Sequence, residues 1–214
     1  AKIEGGWLYA ISPRGTTRWF TVGESVGVYP AGVNSVGIKS QYAGNLESKG
    51  VFLLGTHIEI GKNIKLHGWD VFTQNIFNTA MLQADFLKPL KNADQLFASV
   101  QVIRQDAVNS GGNENADKTY FEKAGKAITF GAKAGWKNTQ WEAGINYNRI
   151  TKDGRYLMPR EWGREPFFTF MPRERNEGFG DVHAIMAKVN YNIPTIRLKT
   201  SLAGGYYKLP DVKN

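Results

Sequence analysis

The chain of 214 residues predicts an all-β fold, an antiparallel transmembrane β-barrel, on three observations. From residue 48 to residue 208, apolar side chains alternate with polar or small ones in segments of about ten residues, the period of a strand with one face in oil and one in water. The connections between segments alternate short and long, as they do when one rim of a barrel carries tight periplasmic turns and the other long external loops. Aromatic residues collect where segments end, the depth at which an amphipathic ring meets both lipid and water.

A first strand is expected near Lys2 to Ile11. In the next, Phe52, Leu54, Thr56, Ile58 and Ile60 oppose Gly55, His57 and Glu59, and the turn Gly61-Lys62-Asn63 leads into a strand from Ile64 to Trp69. Ala80, Leu82, Ala84 and Phe86 then oppose Thr79, Met81, Gln83 and Asp85, and Leu96, Ala98, Val100 and Val102 oppose Phe97, Ser99 and Gln101. The cleanest pair follows: Ile128, Phe130, Ala132, Ala134 and Trp136 against Thr129, Gly131, Lys133 and Gly135, then Trp141, Ala143, Ile145 and Tyr147 against Glu142, Gly144, Asn146 and Asn148. A last hairpin sets His183, Ile185, Ala187, Val189 and Tyr191 against Ala184, Met186, Lys188 and Asn190, and Leu198, Thr200, Leu202 and Tyr206 against Arg197, Lys199 and Ser201. The total is about nine strands, each long enough to cross a bilayer at a tilt. Long connections fall at 12–47, 105–122 and 151–180; short ones fall at 61–63, 88–94, 137–140 and 194–195, with a brief link at 74–75 breaking the alternation.

Composition agrees with this reading. The longest aliphatic or aromatic run, Val51 to Leu54, is far short of the roughly 20 residues a membrane helix needs, so any contact with lipid is made by strands. The absence of cysteine excludes disulfide frameworks and thiolate metal sites. The first residues show neither an initiator Met nor a signal-peptide pattern, and the last, Pro210 to Asn214, lack the terminal aromatic strand of a bacterial outer-membrane barrel. Residues 1–214 therefore read as a single barrel domain, incomplete at both ends, and an odd strand count points the same way. The net charge of +8 is concentrated, since six of the ten arginines lie between Arg149 and Arg175. The face assigned to the interior carries Lys65, Lys133, Lys137, Lys188, Arg197 and Lys199 against Glu59, Asp85 and Glu142. That excess suits anionic solutes.

Several loop segments carry a resemblance. Ser12-Pro-Arg-Gly-Thr-Thr-Arg-Trp19, Val26-Gly-Val-Tyr-Pro-Ala-Gly32, Gln41-Tyr-Ala-Gly-Asn45, Pro159-Arg-Glu-Trp-Gly-Arg-Glu-Pro-Phe-Phe-Thr-Phe170 and Arg173-Glu-Arg175 are similar to loops of OprD-type outer-membrane porins. The order of strands and loops from Val51 to Tyr207 resembles the later part of that family. The resemblance implies an eighteen-stranded porin in a Gram-negative outer membrane, of which this chain supplies about half the wall. It implies diffusive, selective passage of small anionic or zwitterionic, carboxylate-bearing solutes past basic side chains on inward-folded loops. Carried over residue by residue, the constriction would be lined by Arg14, Arg18, Arg160, Arg164, Arg173 and Arg175, with Lys133, Lys188, Arg197 and Lys199 on the strands. A guanidinium fork binds a carboxylate bidentately, and a series of such groups replaces lost hydration in small steps. Against this stands the near-neutrality of the loop, whose Asp153, Glu161, Glu165, Glu174 and Glu177 almost balance its basic residues.

Other function classes fit less well. His57, His67 and His183 lie on different strands with no serine-elbow or metal-ligand spacing, which argues against an enzyme, and no pattern calls for a metal or another cofactor. The basic residues are spread through the barrel pattern rather than gathered with interleaved aromatics, which argues against nucleic acid as a partner. Outer-membrane lipid is the expected surrounding. A barrel acting as a scaffold in a larger membrane complex remains the alternative, and homo-oligomerisation stays open.

Overall fold

A computed structural model describes residues 1–29, 32–34, 38–172 and 177–210. Nine strands form one antiparallel sheet in chain order: β1 (Lys2–Leu8), β4 (Val51–Ile60), β5 (Ile64–Thr73), β6 (Phe77–Pro89), β7 (Gln95–Ala107), β8 (Lys126–Lys137), β9 (Trp141–Ile150), β10 (Val182–Ile193) and β11 (Leu198–Lys208). Between β1 and β4 lie a separate two-stranded ribbon, β2 (Ala10–Ile11) with β3 (Phe20–Thr21), and one helical turn, α1 (Val22–Ser25). The expected strand from Lys2 to Ile11 is thus divided: its first seven residues join the sheet beside β4, and Ala10 and Ile11 turn away to pair with Thr21 and Phe20. β6 and β7 each run to 13 residues, longer than their alternation suggests, because apolar Phe77 and Ile103 continue the inner face beneath a loop. Arg197 lies outside the strand to which the alternation assigned it. It occupies a left-handed position, φ 53°, closing a 3-10 turn over Pro194–Ile196.

The alternation in connection length holds. Tight turns join β4 to β5, β6 to β7, β8 to β9 and β10 to β11 at one end, and the described residues of the connections β1–β4, β7–β8 and β9–β10 gather at the other. The exception at residues 74–76 is structural. Asn75, at φ 67°, closes the turn, and Ile76 is fully buried with Val26, Leu46, Phe77 and Phe121 from the neighbouring loops. The turn is stitched to those loops by Gln74 N–H to the Gly50 carbonyl at 3.0 Å, Lys49 N–H to Gln74 Oε1 at 2.8 Å and Val108 N–H to the Ile76 carbonyl at 3.1 Å.

The two faces of the sheet differ as a lipid face and a wet face must. On the outer face Leu82, Val100, Ile145 and Leu202 are 66%, 60%, 61% and 77% exposed, an arrangement that water would penalise and hydrocarbon would not. Trp141 stacks on Tyr191 near the turn end, with ring centroids 4.2 Å apart. At the loop end the Tyr147 hydroxyl meets His183 Nδ1 at 2.8 Å, which puts His183 on the face that strand parity predicted. Among the described residues no helix is long and apolar enough to cross a membrane. Val100 sits midway along β7 on this outer face. Val100→Lys is expected to cost about 2–4 kcal/mol of folding free energy in bilayers, read from urea unfolding, because a charge is held at the lipid midplane.

Candidate functional site: the loop against the inner face

The inner face is defined by what covers it. Residues 151–172 and 177–181 fold down over β6 to β11 and are pinned to inward-facing polar side chains, each of which reaches a loop backbone group. Gln105 Nε2 donates to the Leu157 carbonyl at 2.8 Å while its Oε1 accepts from Leu157 N–H at 2.9 Å. Gln101 Nε2 donates to the Pro166 carbonyl at 3.2 Å, Asn146 Nδ2 to that of Phe168 at 2.8 Å, and the Tyr207 hydroxyl to that of Thr169 at 2.9 Å. Below the contacts lies an apolar cluster of Ile103, Ala127, Ile150, Tyr156, Phe167 and Val182. Gly131 makes room for Phe168, whose ring would come within 3.2 Å of any Cβ at that position.

The first long loop packs on this segment in turn. Glu161 is buried and its Oε1 accepts from Gly27 N–H at 2.7 Å and Tyr29 N–H at 3.2 Å. Trp162 Nε1 donates to Ser25 Oγ of α1 at 2.8 Å, and α1 is held by a capping box between Thr21 and Glu24. Arg155 donates from Nε to the Gly178 carbonyl and from a terminal nitrogen to that of Val33, at 2.7 and 2.8 Å. Arg149 pairs with Asp181, and that hydrogen bond holds the Asp181 carboxyl below its ordinary range. Burial pushes the phenols of Tyr120 and Tyr156 well above theirs, with carboxylates of this loop adding to the effect.

The sequence-expected cations now separate by what they touch. Arg160 donates to the buried Glu177 at 2.7 Å, so its charge is matched within the loop. Arg164 is exposed, with its guanidinium carbon 5.3 Å from the centre of the Phe170 ring. Lys133 is half-buried on β8, its Nζ 4.7 Å from the centre of the Phe168 ring of the same loop. Lys188 and Lys199 are exposed inner-face positions on β10 and β11. Arg14 is exposed in the first loop, and Arg18 lies over Phe20 at 4.4 Å. Arg173 and Arg175 lie outside the described residues. Of the remaining basic residues counted on the inner face, Lys65 pairs with Glu59 at 2.9 Å and Lys137 stands opposite Glu142.

Two cavities result. One of 370 Å³ lies between β5–β7 and the covering loop, lined mainly by apolar side chains including Trp69, Val71, Phe77, Met81, Ile103 and Trp162, with Arg164 at its wall. A second, of 780 Å³, lies among the loops and includes Tyr42, Tyr120, Arg155, Arg160, Glu161 and Glu177. The smaller has the size of a small-solute site and the mixed lining such sites use: apolar walls with a single charged anchor. Periodicity gave no sign of this cavity, because Phe77 and Ile103 are apolar residues on the nominally wet face.

An antiparallel sheet with a lipid-compatible outer face, a polar inner face and a loop folded onto it defines a porin-type barrel wall. Solved outer-membrane structures share this fold. OccK8 (OprE) of Pseudomonas aeruginosa superposes with a TM-score of 0.69 at 12% identity, over 95% of this chain and 52% of the other. OccAB2 of Acinetobacter baumannii gives 0.66 at 12% over 95% and 47%, and the outer membrane protein OprD of Pseudomonas aeruginosa gives 0.57 at 12% over 75% and 39%. The chain therefore has the fold expected from its loop motifs, and it spans about half the length of the structures it matches. No family sequence model matches it, and no curated protein does.

Proposed function

We propose that the chain forms half the wall of a bacterial outer-membrane porin that admits small carboxylate-bearing solutes by diffusion, and that Arg164 and Lys133 are the cations that draw them through. The observation that carries this reading is the disposition of charge in the covering loop. Of its five acids, Glu161, Glu165 and Glu177 are buried at 6%, 3% and 4% exposure, Asp153 is exposed at the loop's start and Glu174 lies outside the described residues, while Arg164 is exposed beside the 370 Å³ cavity. The near-neutral composition is thus compatible with a positive surface beside that cavity, because the three buried acids serve the fold and Arg164 does not. Lys188 and Lys199 continue the positive inner face toward the turn end, which gives an anion weak successive partners rather than one deep trap. Arg14, Arg18, Arg173 and Arg175 complete the set proposed for the mouth, and Arg160 is left out of it because Glu177 takes up its charge.

Planar-bilayer recordings with a small carboxylate as the principal anion test the proposal. Arg164→Ala and Lys133→Ala are each expected to lower anion preference and carboxylate conductance several-fold, with the larger effect at Arg164. Unchanged reversal potentials in both variants would reject the assignment.

A further inference from the structure

Away from the covering loop, the inner face carries a row of four titratable side chains across β1, β4, β5 and β6. His57 and His67 are direct partners across the β4–β5 hairpin, and their Nδ1 atoms lie 2.7 Å apart. On the far side of His67, Nε2 is 3.0 Å from Asp85 Oδ2, and Asp85 is fixed by Ser99 Oγ and by Gln83 Nε2 at 3.0 Å. On the far side of His57, Nε2 is 3.6 Å from Glu4 Oε1, within ion-pair range though longer than a hydrogen bond. The edge of Trp69, 5.6 Å away between centroids, holds the His57 ring in place.

The carboxylates bias the tautomers. A carboxylate facing Nε2 favours the proton on that nitrogen and leaves Nδ1 with a lone pair, an effect strong at His67, where Asp85 is at 3.0 Å, and weaker at His57, where Glu4 is at 3.6 Å and also pairs with Lys2 at 2.7 Å. Two Nδ1 atoms 2.7 Å apart require a positive centre between them, either a shared proton or, with both protons on Nε2, a metal ion. We propose that His57 and His67 form a site for a divalent transition metal of the Cu(II), Zn(II) or Ni(II) class, ligated through both Nδ1 atoms, with Glu4 and Asp85 as the groups that orient the rings. Metal–nitrogen bonds of about 2.0–2.1 Å at a near-tetrahedral angle require the two nitrogens to part by about 0.6–0.7 Å, within the reach of small χ adjustments. Among the described residues no three potential ligands converge on one point, so the protein supplies two and water fills the rest. The side chains are 32% and 23% exposed, which leaves the approach open. Imidazole pairs follow the general order of divalent affinities, with Cu(II) strongest, so Cu(II) is the most sensitive probe.

The test uses the intact protein, folded in detergent without a polyhistidine tag, titrated with Cu(II) and followed by electron paramagnetic resonance. One bound equivalent with splitting from two imidazole nitrogens is expected. His57→Ala and His67→Ala should each abolish that spectrum, and His183→Ala, on the outer face, should keep it. Asp85→Asn should retain the two-nitrogen spectrum and weaken binding about 10–100-fold. Heat-modifiable mobility on gels checks that each variant is folded. A folded protein that binds no Cu(II), its histidines sharing only a proton, overturns the proposal, and so does a two-nitrogen signal that survives in both histidine variants.

Discussion

Gln105→Leu is expected to free residues 151–181 from the wall while leaving the strands intact. Gln105 is 1% exposed, and its amide makes three hydrogen bonds: to Thr79 Oγ1 at 2.8 Å, to the Leu157 carbonyl at 2.8 Å and from Leu157 N–H at 2.9 Å. Leucine fills a similar volume and replaces none of them. Each buried group left unpartnered costs about 1–3 kcal/mol, so three amount to several kcal/mol concentrated at one point of the loop. The β6–β7 and β7–β8 ladders are backbone pairings that the substitution does not touch, so the cost falls on the loop contact rather than on the sheet. Limited proteolysis should cut within 151–181 in the variant and not in the parent, and single-channel conductance should rise and become noisier. Gln105→Glu supplies the control: it keeps an acceptor for Leu157 N–H and should recover part of the protection. A cleavage pattern identical to the parent's would show that the other pins suffice.

That loop also marks the boundary of what the chain discloses before its structure is known. Alternation located nearly every strand because burial on one face imposes a period of two, and it located the turns because Gly61, Asn138 and Pro194 interrupt it. The same rule misleads where a strand faces protein on both sides. Ile103, Phe77 and Met81 occupy inward positions that a water-filled lumen would make polar, and nothing local to them announces the loop that covers them. Charge was legible as a sum and not as a distribution. Whether Arg160 or Arg164 meets solute depends on Glu177 being near enough to claim the first, a contact across 17 residues that composition cannot reveal. Arg197 failed for a local reason, since closing the turn over Pro194–Ile196 requires a left-handed residue at its end. One signal lay in plain view: residues 57 and 67 are equidistant from Lys62, the centre of the Gly61–Asn63 turn, so a tight hairpin there must set the two histidines face to face.

Reversing the charge at the proposed constriction should have the largest effect on selectivity. At about 5 Å a unit charge attracts a carboxylate by roughly 0.8 kcal/mol in bulk water and by roughly 3 kcal/mol at the effective dielectric constant of about 20 met near protein surfaces. Removing it therefore lowers anion occupancy by a factor between about 4 and about 200, and replacing it with a negative charge roughly squares that factor. Arg164→Glu is accordingly expected to carry the reversal potential in a salt gradient from the anion side to the cation side, and adding Lys133→Glu should deepen the change, since the two cations stand over the neighbouring rings Phe168 and Phe170. Raising ionic strength should shrink the difference between variant and parent, because screening acts on exposed charges first. Arg160→Glu gives the discriminating comparison. Its partner Glu177 is buried at 4% exposure, so that reversal should destabilise the loop before it alters ion preference. If Arg160→Glu moved the reversal potential and Arg164→Glu did not, solutes would be passing through the 780 Å³ space among the loops rather than beside the 370 Å³ cavity under them.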